Sequence, residues 1–203
     1  MSSGHQEPGT VHTRGLAWTL TIGGLLGLVA AVVLLVEKIA LIEDPEYVPT
    51  CSINPVLSCG SVMNTAQAEV LGIPNPVIGV IGFTAVAMLG AALLAGARLH
   101  RWFWSAAQAG VTFGVVFVHW LIHQSLFVIG ALCPYCMVVW AVTIPIFWVT
   151  TLHNLRSWAT ASSGVRRLVG FLSGYQAAIL TAWLVVILGL ITVRFWDYWS
   201  SLA

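Results

Sequence analysis

The charged residues divide this chain into four uncharged apolar windows: Gly15–Val36, Val70–Ala97, Trp102–Leu155 and Leu168–Val193. A bilayer core about 30 Å thick needs roughly 20 apolar residues in a helix, so three of the windows fit one crossing each. The third runs for 54 residues. As one helix it would be about 80 Å long at ~1.5 Å per residue, so it must cross twice and turn near its middle. Cys133–Pro134 supplies the turn, because proline suits the first position of a helix and breaks an interior. The pattern predicts five membrane-spanning helices, at about 16–41, 76–97, 103–130, 134–154 and 172–195. One substantial loop, Glu43–Asn75, joins the first two. Within it, Gly60–Leu71 places Val62, Met63, Ala66 and Val70 on one helical face, which predicts a half-helix lying on the membrane surface.

Composition agrees with this pattern and narrows it. Hydrophobic residues make up 59% of the chain and charged residues 7%, too little polar surface to coat a globule in water. The fold class is therefore an all-α integral membrane protein. A formal charge of +1 lacks the basic footprint of a nucleic-acid binder. The basic residues also set an orientation. With the N-terminus inside, Arg14, Arg98, Arg101, Arg156, Arg166 and Arg167 lie on the cytoplasmic side, against Lys38 and Arg194 outside. Residues 1–13 then read as a disordered cytoplasmic tail and 14–203 as a single five-helix membrane domain. The first window is too long for a signal peptide and has no convincing small-residue cleavage site. Trp18, Trp102, Trp104, Trp158, Trp196 and Trp199 fall near predicted helix ends, as an interfacial aromatic belt would.

In this topology all four cysteines face the oxidising outer side, where disulfides persist. Cys51 and Cys59 lie in the loop, and Cys133 and Cys136 form a C-P-Y-C pair where the fourth spanning helix begins. Each pair can close internally. A C-x-x-C at a helix N-terminus also has backbone N–H groups and a dipole that stabilise a thiolate, which favours exchange. Other readings stand beside this one: a loop staple for Cys51 and Cys59, and two small buried apolar residues for Cys133 and Cys136. A four-cysteine zinc site fits poorly, since seven residues separate the loop pair where zinc knuckles use about two to four. No metal is expected. His119 and His123, at i and i+4 in a span, are ionisable groups that could ligate haem, take part in protonation or simply pack within the bundle.

The cysteine motifs and the segments around them resemble the vitamin K epoxide reductase family in its bacterial form. The likeness rests on Cys51, Asn54–Pro55–Val56–Leu57–Ser58–Cys59–Gly60–Ser61–Val62, Gly72–Ile73–Pro74–Asn75–Pro76–Val77–Ile78–Gly79 and Cys133–Pro134–Tyr135–Cys136. The resemblance implies a four-helix bundle around a membrane quinone, menaquinone or ubiquinone, with the fifth helix beside it. It makes Cys51 and Cys59 a shuttle pair and sets Cys133 and Cys136 beside the quinone. It further implies that Asn75 hydrogen-bonds a quinone oxygen, that Trp140 lines the pocket, and that Thr65, with Met63 nearby, belongs to the cofactor site. Family members of this kind often continue into a thioredoxin-like domain, whereas this chain stops at Ala203. The expected partner is therefore a separate thioredoxin-like oxidoreductase of the DsbA type.

These observations lead to an expected oxidoreductase of the bacterial plasma membrane that oxidises protein thiols outside and reduces a quinone in the lipid. In that reading Cys59 attacks Cys133 and expels Cys136 as a thiolate stabilised by the helix N-terminus. The alternative is a non-enzymatic electron carrier with haem held by His119 and His123 and with structural disulfides.

Overall fold

The computed structural model describes residues 8–70, 72–158 and 163–201, and every regular element among them is helical. Helix α1 spans Pro8–Glu43, α2 Cys59–Met63, α3 Asn75–Leu94, α4 Arg101–His123, α5 Pro134–Trp158, α6 Ser163–Gly174, α7 Gln176–Arg194 and α8 Trp196–Ser200. Five stretches are long and apolar enough to cross a membrane: Arg14–Glu43, Asn75–Leu94, Arg101–Ile129, Pro134–Ser157 and Gln176–Arg194. The protein is a multi-pass membrane protein. Of the expected tail over 1–13, residues 1–7 lie outside the described residues, and Pro8–Thr13 already belong to α1.

Four spans form a bundle in which α1 packs along α3 and α5, and α4 along α5. The α1/α3 seam is close because small residues line it. A Cβ added at Gly24 would lie 2.6 Å from Ala87 N, and one at Gly90 would lie 2.5 Å from Thr21 N. Small residues let backbones approach in lipid, where association relies on van der Waals contact. Between α3 and α4 there is no comparable interface. The fifth span, α7, lies outside this bundle. Its Ile187 and Ile191 join a buried cluster with Val118, Ile122 and Trp140.

Three elements differ from expectation. The half-helix over Gly60–Leu71 is two short pieces, α2 and a 3-10 turn at Ala66–Glu69, because Thr65 between them is extended (φ −98°, ψ 153°). Met63 is buried while Ala66 and Val70 are exposed, so the four residues do not share one face; Leu71 lies outside the described residues. Helix α3 stops at Leu94 rather than 97 because Gly96, with φ +88°, takes the left-handed position that ends a helix. The fifth span starts at Gln176, not 172. The residues before it form the amphipathic α6, which carries Arg166 and Arg167 and is tied to α5 by Arg156 Nη2 donating to Ser173 Oγ at 2.7 Å.

Candidate active site

A short backbone pairing brings the loop to the start of α5. Leu132 N–H donates to Val56 O at 2.7 Å and Ser58 N–H to Leu132 O at 2.8 Å, making a one-residue parallel bridge between Leu57 and Leu132. Local sequence prepares the loop for it. Asn54 Oδ1 accepts from the backbone N–H of Val56 (3.0 Å) and Leu57 (2.7 Å), an Asx turn. Ser58 then caps α2 by accepting from Ser61 N–H at 3.2 Å. Immediately after the bridge on one strand comes Cys59, and on the other Cys133. Their Sγ atoms are 3.1 Å apart across 74 residues of sequence.

Cys51 and Cys59 are joined by a disulfide, whereas Cys133 and Cys136 are free thiols. The Sγ atoms of Cys51, Cys59 and Cys133 lie within 4.8 Å of one another, all in buried residues. Two of these sulfurs are bonded to each other, so the cluster is arranged for exchange rather than for holding a metal.

Cys133 sits at the N-cap of α5, and Cys136 N–H, three residues on, donates to its Sγ at 3.4 Å. Cys133 lies between the spans, and its pKa is lowered below the ordinary thiol value. The largest cause is the hydrogen bond with the Cys136 side chain; burial opposes it, and the backbone amides of Cys136 and Tyr135 reinforce it. The sulfur stabilised by the N-terminus of α5 is therefore that of Cys133, not Cys136 as the motif alone suggests. Cap geometry explains the difference, because the third amide of a helix points back at the cap residue. Cys136 instead contributes to the wall of a cavity.

That cavity, about 520 Å³, lies within the bundle between α3 and α4. Its polar lining includes Thr65, Gln67, Asn75, Gln124, Ser125 and Cys136, all near the loop end of the helices. Deeper it is walled by Phe83, Val86, Leu89, Val111 and Ile146, and at the α3/α4 gap by Ile81 and Phe113, both exposed on the membrane-facing surface. Met63 and Trp140 also line it, so every residue expected at the cofactor site meets this one space. Asn75 is partly committed: its Nδ2 donates to Gln67 O at 2.7 Å and its Oδ1 accepts from Val70 N–H at 3.2 Å, holding the loop that roofs the cavity. One amide hydrogen remains free of these bonds. The Nε1 of Trp140, a residue 3% exposed, has no hydrogen-bond partner among the described residues. An apolar chamber with a polar end, an orphan donor and a side opening fits a ring that carries an isoprenoid tail.

Two residues that sequence reasoning passed over hold the redox loop from both sides. Glu37 accepts from Tyr47 OH (2.9 Å), Thr50 N–H (3.3 Å) and Thr50 Oγ1, just before Cys51. Lys38 donates to Met63 O at 2.9 Å and pairs with Glu69 at 2.9 Å, just after Cys59. Both are buried, at 6% and 8% exposure. Their signal in the sequence is position: α1 runs six residues past Glu37 to Glu43, so the two charges fall inside a helix rather than at its end, and a charge in a buried helical position implies a partner.

A model of the vitamin K epoxide reductase family matches residues 18–151, which takes in α3, α4, most of α1 and α5, and both cysteine pairs. The chain belongs to the vitamin K epoxide reductase family. It is accordingly a membrane oxidoreductase whose disulfide chemistry is linked to quinones. Comparison with curated proteins finds no significant match. Membership and geometry together set aside the haem-carrier alternative. His119 Nδ1 bonds Val115 O at 2.7 Å, and its Nε2 accepts from Trp183 Nε1–H at 3.0 Å, so neither nitrogen is left to ligate. The histidine joins α4 to α7. His123 is exposed and lies against Phe127, ring centroids 5.2 Å apart.

Proposed function

We propose that this protein is a thiol:quinone oxidoreductase that makes disulfides outside the bacterial plasma membrane, with its N-terminus in the cytoplasm. In this reading a separate thioredoxin-like oxidoreductase of the DsbA type delivers electrons, and menaquinone or ubiquinone in the membrane receives them. The observation that carries the reading is the contact of Cys59 with Cys133 at 3.1 Å, with Cys136 on the cavity wall beyond. Such a relay solves a compartment problem. A protein substrate cannot enter the bilayer and a prenyl quinone cannot leave it, so one pair must meet each.

The steps follow from disulfide exchange. A thiolate of the partner attacks Cys51, breaking the Cys51–Cys59 bond, and the partner's second thiol displaces Cys51, leaving the partner oxidised and the loop pair reduced. Cys59 thiolate then attacks Cys133 of a Cys133–Cys136 disulfide and releases Cys136. Cys51 displaces Cys133 from Cys59 and restores the loop disulfide, which leaves Cys133 and Cys136 as thiols, the state described above. A bound quinone supplies a two-electron, two-proton acceptor, so the inner pair can return to its disulfide. Asn75 and Trp140 offer N–H donors to the ring oxygens, Thr65 and Met63 line the polar end, and the loop keeps water out.

The test is coupled turnover in liposomes. Adding a reduced thioredoxin-like protein to the outside should consume one quinone per disulfide formed, and replacing any one of the four cysteines should abolish the coupling. Thiol oxidation with no quinone consumed would overturn the proposal.

The lowered pKa of Cys133 gives a pH prediction. In Cys136→Ser, where the serine hydroxyl keeps a donor beside Cys133, attack of Cys133 on the loop disulfide releases Cys51, which N-ethylmaleimide traps. The rate should rise with pH and level off below about 8.5, the ordinary cysteine pKa, because only the thiolate attacks. A rate still climbing through pH 9 would show that the hydrogen bonds from the residue-136 side chain and the α5 amides do not lower the Cys133 pKa.

A further inference from the structure

We propose that Ser125 is a specificity-determining residue of the quinone cavity, its hydroxyl making a hydrogen bond to a ring oxygen; this rests on the quinone reading above. Four hydroxyl residues line the cavity: Thr65, Ser125, Thr143 and Thr150. Three of them spend their donor on the backbone. Thr65 donates to Val62 O at 2.8 Å, Thr143 to Val139 O at 2.7 Å and Thr150 to Ile146 O at 2.8 Å. Ser125 is 2% exposed, and its hydroxyl makes no hydrogen bond to the protein among the described residues.

The backbone explains why. A serine in a regular α-helix returns its hydroxyl to the carbonyl four residues earlier, which here is Leu121 O. After His123, however, α4 continues as a π-helical turn over Gln124–Ile129, ended by Gly130 at φ +71° with its N–H bonded to Ser125 O at 3.0 Å. A π-helical turn is wider than an α-helical one and breaks the i to i−4 register, and the N–H of Gln124 at its start is shared between Leu121 O and Trp120 O. Turns of this kind interrupt helices at functional sites often enough to call for a reason. Here the consequence is a hydroxyl at the polar end of an apolar cavity, on a residue with little other exposure, that makes no hydrogen bond to the described residues and is free to bond a ligand in the cavity.

The chemistry of the hydroxyl suits this ligand better than an indole would. Trp140 Nε1 can only donate, which matches a carbonyl oxygen. A serine hydroxyl donates to a carbonyl and accepts from a phenolic O–H, so it can stay bonded in both oxidation states of the ring. Ser125 therefore holds the ring without favouring one state strongly over the other.

The experiment is a binding titration of the full chain in detergent, read by quenching of tryptophan fluorescence, with 2-methyl-3-prenyl-1,4-naphthoquinone as ligand. An analogue without oxygens, 2-methyl-3-prenylnaphthalene, is read by displacement of the quinone. Ser125→Ala removes one oxygen and risks little in folding, which non-reducing electrophoresis for the Cys51–Cys59 disulfide checks. Loss of one neutral hydrogen bond should raise the quinone Kd about five- to tenfold and leave that of the analogue within about twofold. Equal quinone affinity in the two proteins, or the same loss for both ligands, would overturn the role of Ser125 and leave the quinone reading standing. Absence of quinone binding to the unaltered protein would overturn both.

Discussion

The double variant Cys51→Ser/Cys136→Ser should convert almost completely to a single species with a Cys59–Cys133 disulfide when treated with mild oxidant. The two remaining sulfurs already lie 3.1 Å apart, inside the distance at which only a small approach forms the bond. Both residues are fully buried, so the backbone bridge between Leu57 and Leu132 determines the pairing, not chance encounter. Neither Cys51 nor Cys136 is present to displace the product, and turnover should fall to background because no pair can be regenerated. Mass spectrometry of the peptides gives the linkage. The companion variant Cys51→Ser/Cys133→Ser leaves Cys59 and Cys136, and should cross-link slowly or not at all, since Cys136 faces the cavity. Preferential joining of Cys59 to Cys136 would reverse the order of the relay.

The spans were legible because lipid imposes a simple rule: a run of about 20 residues without charge must be helical to satisfy its own backbone. Even the turn at Cys133–Pro134 could be read, since proline has few places to go in a long apolar run. The chemistry was legible where residue type carries it, in the four cysteines and in the motifs around them. Other features depended on contacts between distant segments. Nothing local announces that Leu57 pairs with Leu132, the bridge that sets Cys133 rather than Cys136 against Cys59. The same gap led to the α5 N-terminus being credited to Cys136, when the cap position gives it to Cys133. His119 and His123 shared a helical face on paper, yet a tryptophan on another span occupies one of them. Glu37 only closes the first apolar window and Lys38 only enters the orientation count, because hydropathy counts a charge without asking what it holds. The loop helix broke at Thr65 for a similar reason: hydrophobic spacing predicted one face, while the segment turns there so that Met63 packs inward and Glu69 reaches Lys38.

Glu37→Ala should make the Cys51–Cys59 disulfide reducible by an external phosphine at least about tenfold faster. Cys51 is 5% exposed and directly follows the Tyr47–Thr50 segment that Glu37 holds in place, so access of a reductant, protein or small molecule, is expected to require opening of that segment. The carboxylate accepts hydrogen bonds from Tyr47 OH and from both Thr50 N–H and Thr50 Oγ1. Bonds to a charged acceptor contribute about 1.5–3 kcal/mol each in favourable settings, but Thr50 is exposed and Tyr47 only half-buried, so both recover water when released. A net loss near 2 kcal/mol is a reasonable central figure, and it would raise the open population by roughly thirtyfold, since 1.4 kcal/mol is about one factor of ten. The rate of reduction follows that population when opening is fast. Lys38 and Glu69 supply the contrast. Their ion pair is half in water, with Glu69 at 44% exposure, and such pairs contribute about 1 kcal/mol or less, so Glu69→Gln should change the reduction rate by less than about fivefold. An unchanged rate in Glu37→Ala would mean that the segment already opens freely and that Glu37 anchors the loop without limiting access to Cys51.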